Sequence, residues 1–148
     1  MTSGAAILLA VHLAATAAMV GLIWFVQVVH YPMFDAVGRG DFAAYEVRHQ
    51  RLTSYVVGLP MATEGVTALV LFFAPPAGLG RALPFVGLVV LAVVLGSTVL
   101  LQVPAHERLN QGFDAAVHRR LVRTNWIRTV GWTLRGALAV AMLVIAAA

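Results

Sequence analysis

An all-α membrane domain, built as a bundle of four transmembrane helices, is the fold the sequence predicts, and three observations predict it. Of the 148 residues, 61% are hydrophobic and 11% charged, and the mean hydropathy is +0.89. Ordinary soluble domains are about 45–50% apolar and about 25% charged. Four apolar stretches are long enough to cross a bilayer at ~20 residues per span, and polar or Pro/Gly-rich segments separate them. Each stretch also carries a stripe of polar residues at helical spacing, which lipid cannot satisfy. The stripes must therefore face one another. The expectation is one domain over 1–148, with a polar interior and a short amphipathic helix at the membrane interface before the last span.

The first span is expected over about 5–34. Its opening, MTSG, lacks the positive charge that begins a signal peptide, so it reads as a retained helix. Pro32 and the pair Gly38/Gly40 close it. DFAAYEVRHQR (41–51) reads as a short polar helix with Asp41 as its N-cap. The second span follows over about 52–74, kinked at Pro60 and ended by APPAGLG. The third occupies about 83–103 and stops in QVPAHERLNQG. Leu109, Phe113, Val117 and Leu121 then recur at every fourth position, with Arg119, Arg120 and Arg123 on other faces. That pattern predicts an amphipathic helix over 107–123 lying on the membrane, with His118 at headgroup level. The fourth span covers about 124–147.

All ten basic residues are arginine; lysine and cysteine are absent. Without cysteine there are no disulfides, thiolate metal sites or thiol nucleophiles. Arginine without lysine, amid abundant Ala, Val and Gly, fits a GC-rich bacterial genome, so a multi-pass protein of the cell inner membrane is expected. The net charge of +4 does not imply nucleic acid, because it is distributed as a topology signal. Arg39, Arg48 and Arg51 follow the first span, and Arg108, Arg119, Arg120 and Arg123 precede the fourth. Only Arg81 lies in the middle connection. By the positive-inside rule the two arginine-rich connections face the cytoplasm, and both termini lie outside it.

At about 100° per residue, His12, Thr16, Gln27 and His30 lie close to one face of the first span. His49, Thr53, Pro60, Glu64 and Thr67 share a stripe in the second, and Thr98, Gln102 and His106 in the third. Asn125, Arg128, Trp132 and Arg135 form the fourth. Glu64 lies ~22 Å along its helix from His49, and Arg135 ~15 Å from Asn125, both well inside the hydrocarbon. Glu64 is the only carboxylate at that depth, so it is the expected partner of Arg135. Such a pair either fixes helix register or marks a functional site. Arg128 is shallower and either snorkels to the headgroups or joins the interior.

Three histidines converge by topology: His30 ends the first span, His49 precedes the second and His106 follows the third. Glu46 and Glu107 are near enough in sequence to join them. Three imidazoles with a carboxylate or water suit a first-row transition metal such as Cu, Fe or Zn. Packing within the polar interior is the alternative. His12, near the outer end of its span, belongs elsewhere. The aromatic residues Trp24, Phe25, Tyr31, Phe34, Tyr45, Tyr55, Trp126 and Trp132 form either an interfacial belt or a pocket for a flat lipophilic molecule.

The stretch VPAHERLNQGF…HRRLVRTNWIRTVGWTLRGALAV resembles the anthrone-oxygenase-like family of small four-helix membrane proteins. That family has a V-P-x-N-x-x-L turn after its third span, matched by Val103, Pro104 and Leu109, with His106 in place of the Asn. Its W-x-x-x-N-x-x-R-T segment is matched by Asn125, Arg128 and Thr129, with Trp126 beside the Asn. The first half shares layout only. The resemblance implies oxidation of a lipophilic, often polycyclic aromatic compound by oxygen. The layout also resembles bacterial membrane protoporphyrinogen oxidases, which makes haem a competing ligand, with His30 and His106 as axial pair.

Three functions compete on these residues. In a membrane oxidoreductase, His30, His49 and His106 are ligands or acid–base groups, and Asn125 and Arg128 anchor the substrate oxygen. A non-catalytic bundle binds lipid, haem or a small molecule, or serves as a subunit of a membrane complex. A transporter uses Glu64 and Arg135 as a relay, and four spans then call for a homo-oligomer.

Overall fold

The computed structural model describes residues 1–148, which fold into helices and short turns with no strand. Helix α1 (Ser3–Phe25) begins at Thr2, whose Oγ1 accepts from the Ala5 N–H at 3.3 Å. It continues through a π-helical turn, Val26–His30, and a 3-10 turn, Pro32–Ala36. Helix α2 spans Phe42–Phe73. Helix α3 (Ala82–Ser97) passes through a second π-helical turn, Thr98–Gln102, into α4 (Val103–Leu109). Helix α5 is Ala115–Ala147. The result is four continuous rods of 34, 32, 28 and 33 residues, all long and apolar enough to cross a membrane.

Sequential rods are neighbours: α1 packs on α2, α2 on α3 and α3 on α5, while α5 closes the ring against α1. The short connections make neighbours antiparallel. Turns 37–41 and 110–114 therefore share one end of the bundle with seven of the arginines. Turn 74–81 and both termini share the other.

The distribution of polarity is inverted relative to a soluble protein. Thr16, Glu46, Glu64, Asn125 and Thr129 are fully buried, at 0% exposure, whereas Leu59, Leu100 and Val144 are 76%, 73% and 62% exposed. Water would reject that surface, and lipid accepts it. This is a membrane protein. Between the polar layers, Met19, Ile23, Ala68, Leu91, Val94 and Trp132 fill the middle of the bundle. Gly131 sets the close approach of α5 to α3 there, because a methyl group at that position would overlap Val94.

The bundle matches the expected fold, with differences at the polar end. The short helix expected over 41–51 is the first part of α2, which runs on without a break through Pro60. Asp41 occupies the N-cap position but makes no capping hydrogen bond. The stretch 107–123 is divided between α4, a turn and α5 rather than forming one surface helix. Gly112, at φ +135, makes the turn, and Asp114 starts the new helix by accepting from the N–H groups of Ala116 (2.7 Å) and Val117 (3.1 Å). Those bonds, that from Val117 foremost, hold the exposed Asp114 carboxyl below the usual aspartate range. His118 consequently faces inward: it is buried, and its Nε2 donates to the Tyr31 carbonyl at 2.7 Å.

Candidate functional site

The three histidines meet at the arginine-rich end. His30 and His49 rings lie 4.6 Å apart, and His49 and His106 rings 5.5 Å apart. His30 Nε2 is hydrogen-bonded to His49 Nδ1 at 2.9 Å, and Thr53 Oγ1 stands 3.1 Å from the same nitrogen. His49 thus sits between the other two, so His30 and His106 do not face each other across a slot that a flat haem could enter.

Glu46 completes the cluster. It lies one turn before His49 on α2, is wholly buried, and its Oε1 is paired with His106 Nδ1. Glu46, His49 and His106 each offer a donor atom, and these atoms lie within 4.8 Å of one another. The compact donor set is therefore Glu46, His49 and His106, with His30 bonded to its edge. Glu107, the other carboxylate considered, is exposed and takes no part. The other oxygen of Glu46, Oε2, is buried without a hydrogen-bond partner. An unpartnered, fully buried carboxylate oxygen is costly, and a cation or a proton relieves it.

Two residues that the polar stripes do not single out complete this layer. Tyr31 Oη is bonded to His106 Nε2 at 2.8 Å. Gln50 Nε2 ties Glu46 Oε1 (3.1 Å) to Asn110 Oδ1 (2.8 Å). The π-helical turn Val26–His30 is the reason for Tyr31. Its extra residue shifts the phase of the first rod, so Tyr31 is 4% exposed while His30 is only half-buried. Single π-turns inside helices are frequent at functional sites for this reason.

A groove of about 500 Å³ opens beside the cluster, between α1 and α2. Leu22, Phe25, Val56 and Val57 supply apolar walls, and His30 and His49 line its end. Phe25 stacks on the His30 ring with centroids 6.0 Å apart and planes 21° apart. The aromatic residues divide: Trp24 and Trp126 meet edge to face on the outer surface, 5.7 Å apart, Phe25 and Tyr45 line the groove, and Tyr31, Phe34 and Trp132 are buried.

The remaining site residues lie deeper. Asn125 is spent on structure: its Nδ2 donates to Gln27 Oε1 at 2.9 Å, and Gln27 donates to the Val122 carbonyl at 3.1 Å. Arg128 is half-buried beside the Tyr31 hydroxyl, with its Nε unpartnered. Of the two residues proposed to anchor a substrate, only Arg128 comes near the histidine layer through a direct neighbour.

Glu64 and Arg135 form the expected ion pair, with Arg135 Nε donating to Glu64 Oε1 at 2.5 Å and side chains 2% and 0% exposed. α2 and α5 are not adjacent in the ring, so Arg135 reaches across the bundle axis. Its Nη1 donates to the Gly87 carbonyl of α3, and Thr16 of α1 donates to Glu64 Oε1 at 2.9 Å. His12 joins this layer through Thr67, at 2.8 Å. About fifteen residues separate His49 from Glu64, or ~22 Å of helix. The pair therefore does not share a site with the histidines.

Searches among known protein families, curated proteins and solved structures find no match to this chain.

Proposed function

We propose that this chain is a membrane oxidoreductase, with a first-row transition metal held by Glu46, His49 and His106 and a lipophilic substrate in the adjoining groove. One observation carries the reading: a two-histidine, one-carboxylate donor set opens directly onto an apolar groove, with His49 belonging to both. Two histidines and one carboxylate with open positions is the donor set of non-haem Fe(II) oxygenases. The orphaned Glu46 Oε2 is the atom a cation would satisfy. A metal held by Glu46, His49 and His106 would supply redox chemistry here, and Tyr31 would orient His106 through Nε2. His30 does the same for His49. Arg48 lines the groove and is the guanidinium placed to meet an oxyanion on the substrate, whereas Arg128 stands beside Tyr31 and does not line it. The resemblance to anthrone oxygenases supports an aromatic substrate and oxygen as oxidant. The arginine distribution supports an inner-membrane protein with this end in the cytoplasm.

A second reading is a lipophile-binding bundle without chemistry. It is favoured by one observation: both nitrogens of His106 already have protein partners, Glu46 and Tyr31. One experiment separates the two. Purified protein is loaded with Fe(II), Cu(II) or Zn(II), desalted and analysed for metal. The oxidoreductase reading expects about one ion per chain, lost in Glu46→Ala and His106→Ala and kept in His12→Gln. No retained metal in the wild type leaves the binding bundle.

A further inference from the structure

A second cleft, of about 420 Å³, lies away from the histidines, where the end of the third rod meets the start of α5. Leu100, Leu101, Pro104 and Val117 form its floor, and Arg108 of α4 and Arg120 of α5 stand on its rim. Both arginines are exposed, and neither forms an ion pair. Asp114, whose charge reaches Arg108, is already engaged by the N–H groups of Ala116 and Val117. Leu100 is 73% exposed and part of the outward apolar surface, so the floor runs without a break onto the face that meets lipid. The rim lies at the polar end of the bundle, beside turn 110–114, which is the level of phosphate headgroups.

We propose that this cleft binds one anionic phospholipid, its acyl chain along Leu100, Leu101 and Val117 and its phosphate between Arg108 and Arg120. Two guanidinium groups from different helices provide the forked donors that phosphate oxygens accept. Basic pockets between transmembrane helices recognise anionic headgroups in this manner. A free phosphate ion would satisfy the rim and leave the apolar floor uncovered. The site is independent of the metal reading, since none of its side chains belongs to the histidine layer.

The test uses the full chain in mild detergent, titrated with phosphatidylglycerol while thermal unfolding is followed. Phosphatidylcholine and inorganic phosphate are run in parallel. Phosphatidylglycerol raises the unfolding temperature of the wild type, and the other two do not. In R108Q/R120Q the apparent affinity falls about thirtyfold, which is about 2 kcal/mol at ~1.4 kcal/mol per tenfold. R51Q/R123Q removes the same charge at the same end and keeps the wild-type affinity. Equal losses in the two double variants would reduce the effect to bulk charge and overturn the site. An equal response to phosphatidylcholine, or to inorganic phosphate alone, would overturn it as well. Native mass spectrometry of the wild type gives a readout independent of variant folding: retention of phosphatidylglycerol over phosphatidylcholine supports the site, and equal retention refutes it.

Discussion

Removing Arg135 is the sharpest perturbation of this bundle. The guanidinium donates from Nε to Glu64 Oε1 and from Nη1 to the Gly87 carbonyl. Each hydrogen bond to a charged group contributes about 1.5–3 kcal/mol, so the two together account for about 3–6 kcal/mol. Breaking a buried ion pair from one side independently suggests about 3–5 kcal/mol. The two partners are not equivalent. After Arg135→Leu the carboxylate of Glu64 keeps Thr16 as donor and can neutralise itself by taking up a proton. After Glu64→Leu the guanidinium keeps its charge at any accessible pH and retains only the Gly87 carbonyl. Glu64→Leu should therefore lie at the upper end of the range and Arg135→Leu at the lower. The double replacement removes both charges and should cost clearly less than the sum, because an apolar pair of similar volume is tolerated where a lone charge is not. Unfolding of the full chain in mixed detergent micelles, followed by tryptophan fluorescence, supplies the double-mutant cycle. Additive single effects, or an Arg135→Leu protein as stable as wild type, would show that the two groups do not stabilise each other.

Gln27→Leu strips Asn125 Nδ2 of its acceptor and should destabilise by about 1–3 kcal/mol in the same assay; an unchanged midpoint contradicts the assignment. Gly131→Ala pushes a methyl into Val94 and should cost about 1–3 kcal/mol, with Val94→Ala in the same chain restoring most of it. Asp114 gives a pH signature. Its folded pKa is below the ordinary 3.8, so its stabilising contribution is complete above that value and is lost as pH falls through the lower folded pKa. Asp114→Asn keeps the cap and should abolish that part of the acid transition, which a pH series of melting curves checks. Chelation of metal-loaded protein should lower its melting temperature, by the equivalent of about 2.7 kcal/mol where free metal had stood at about 100 Kd; in Glu46→Ala chelation should change nothing.

Composition and helical spacing alone determined the four spans, the polar interior and the deep ion pair. Those features follow from local arithmetic: a length of apolar chain, a period of ~3.6 residues, and a single carboxylate at the depth of a single buried arginine. The convergence of His30, His49 and His106 was legible from topology for the same reason. The tertiary structure decided which donors form the compact set, and it chose Glu46 over His30. A π-helical turn at Val26–His30 shifts the first rod out of the regular period, turning Tyr31 inward and His30 toward the groove. Nothing in the hydropathy of VQVVH marks such a turn, which lies against α5. The division of 107–123 was half legible, since Gly112 and Asp114 are a turn residue and a cap. The four-residue apolar spacing that masks them continues across the turn because Leu109, Phe113, Val117 and Leu121 all pack into one cluster with Phe34 and Phe42. The aromatic residues offered a lipophilic pocket as one reading, but the shape of the groove and the arginine-rimmed cleft were not legible. Each is a space between helices, and its shape depends on how two surfaces fail to meet, which no single segment encodes.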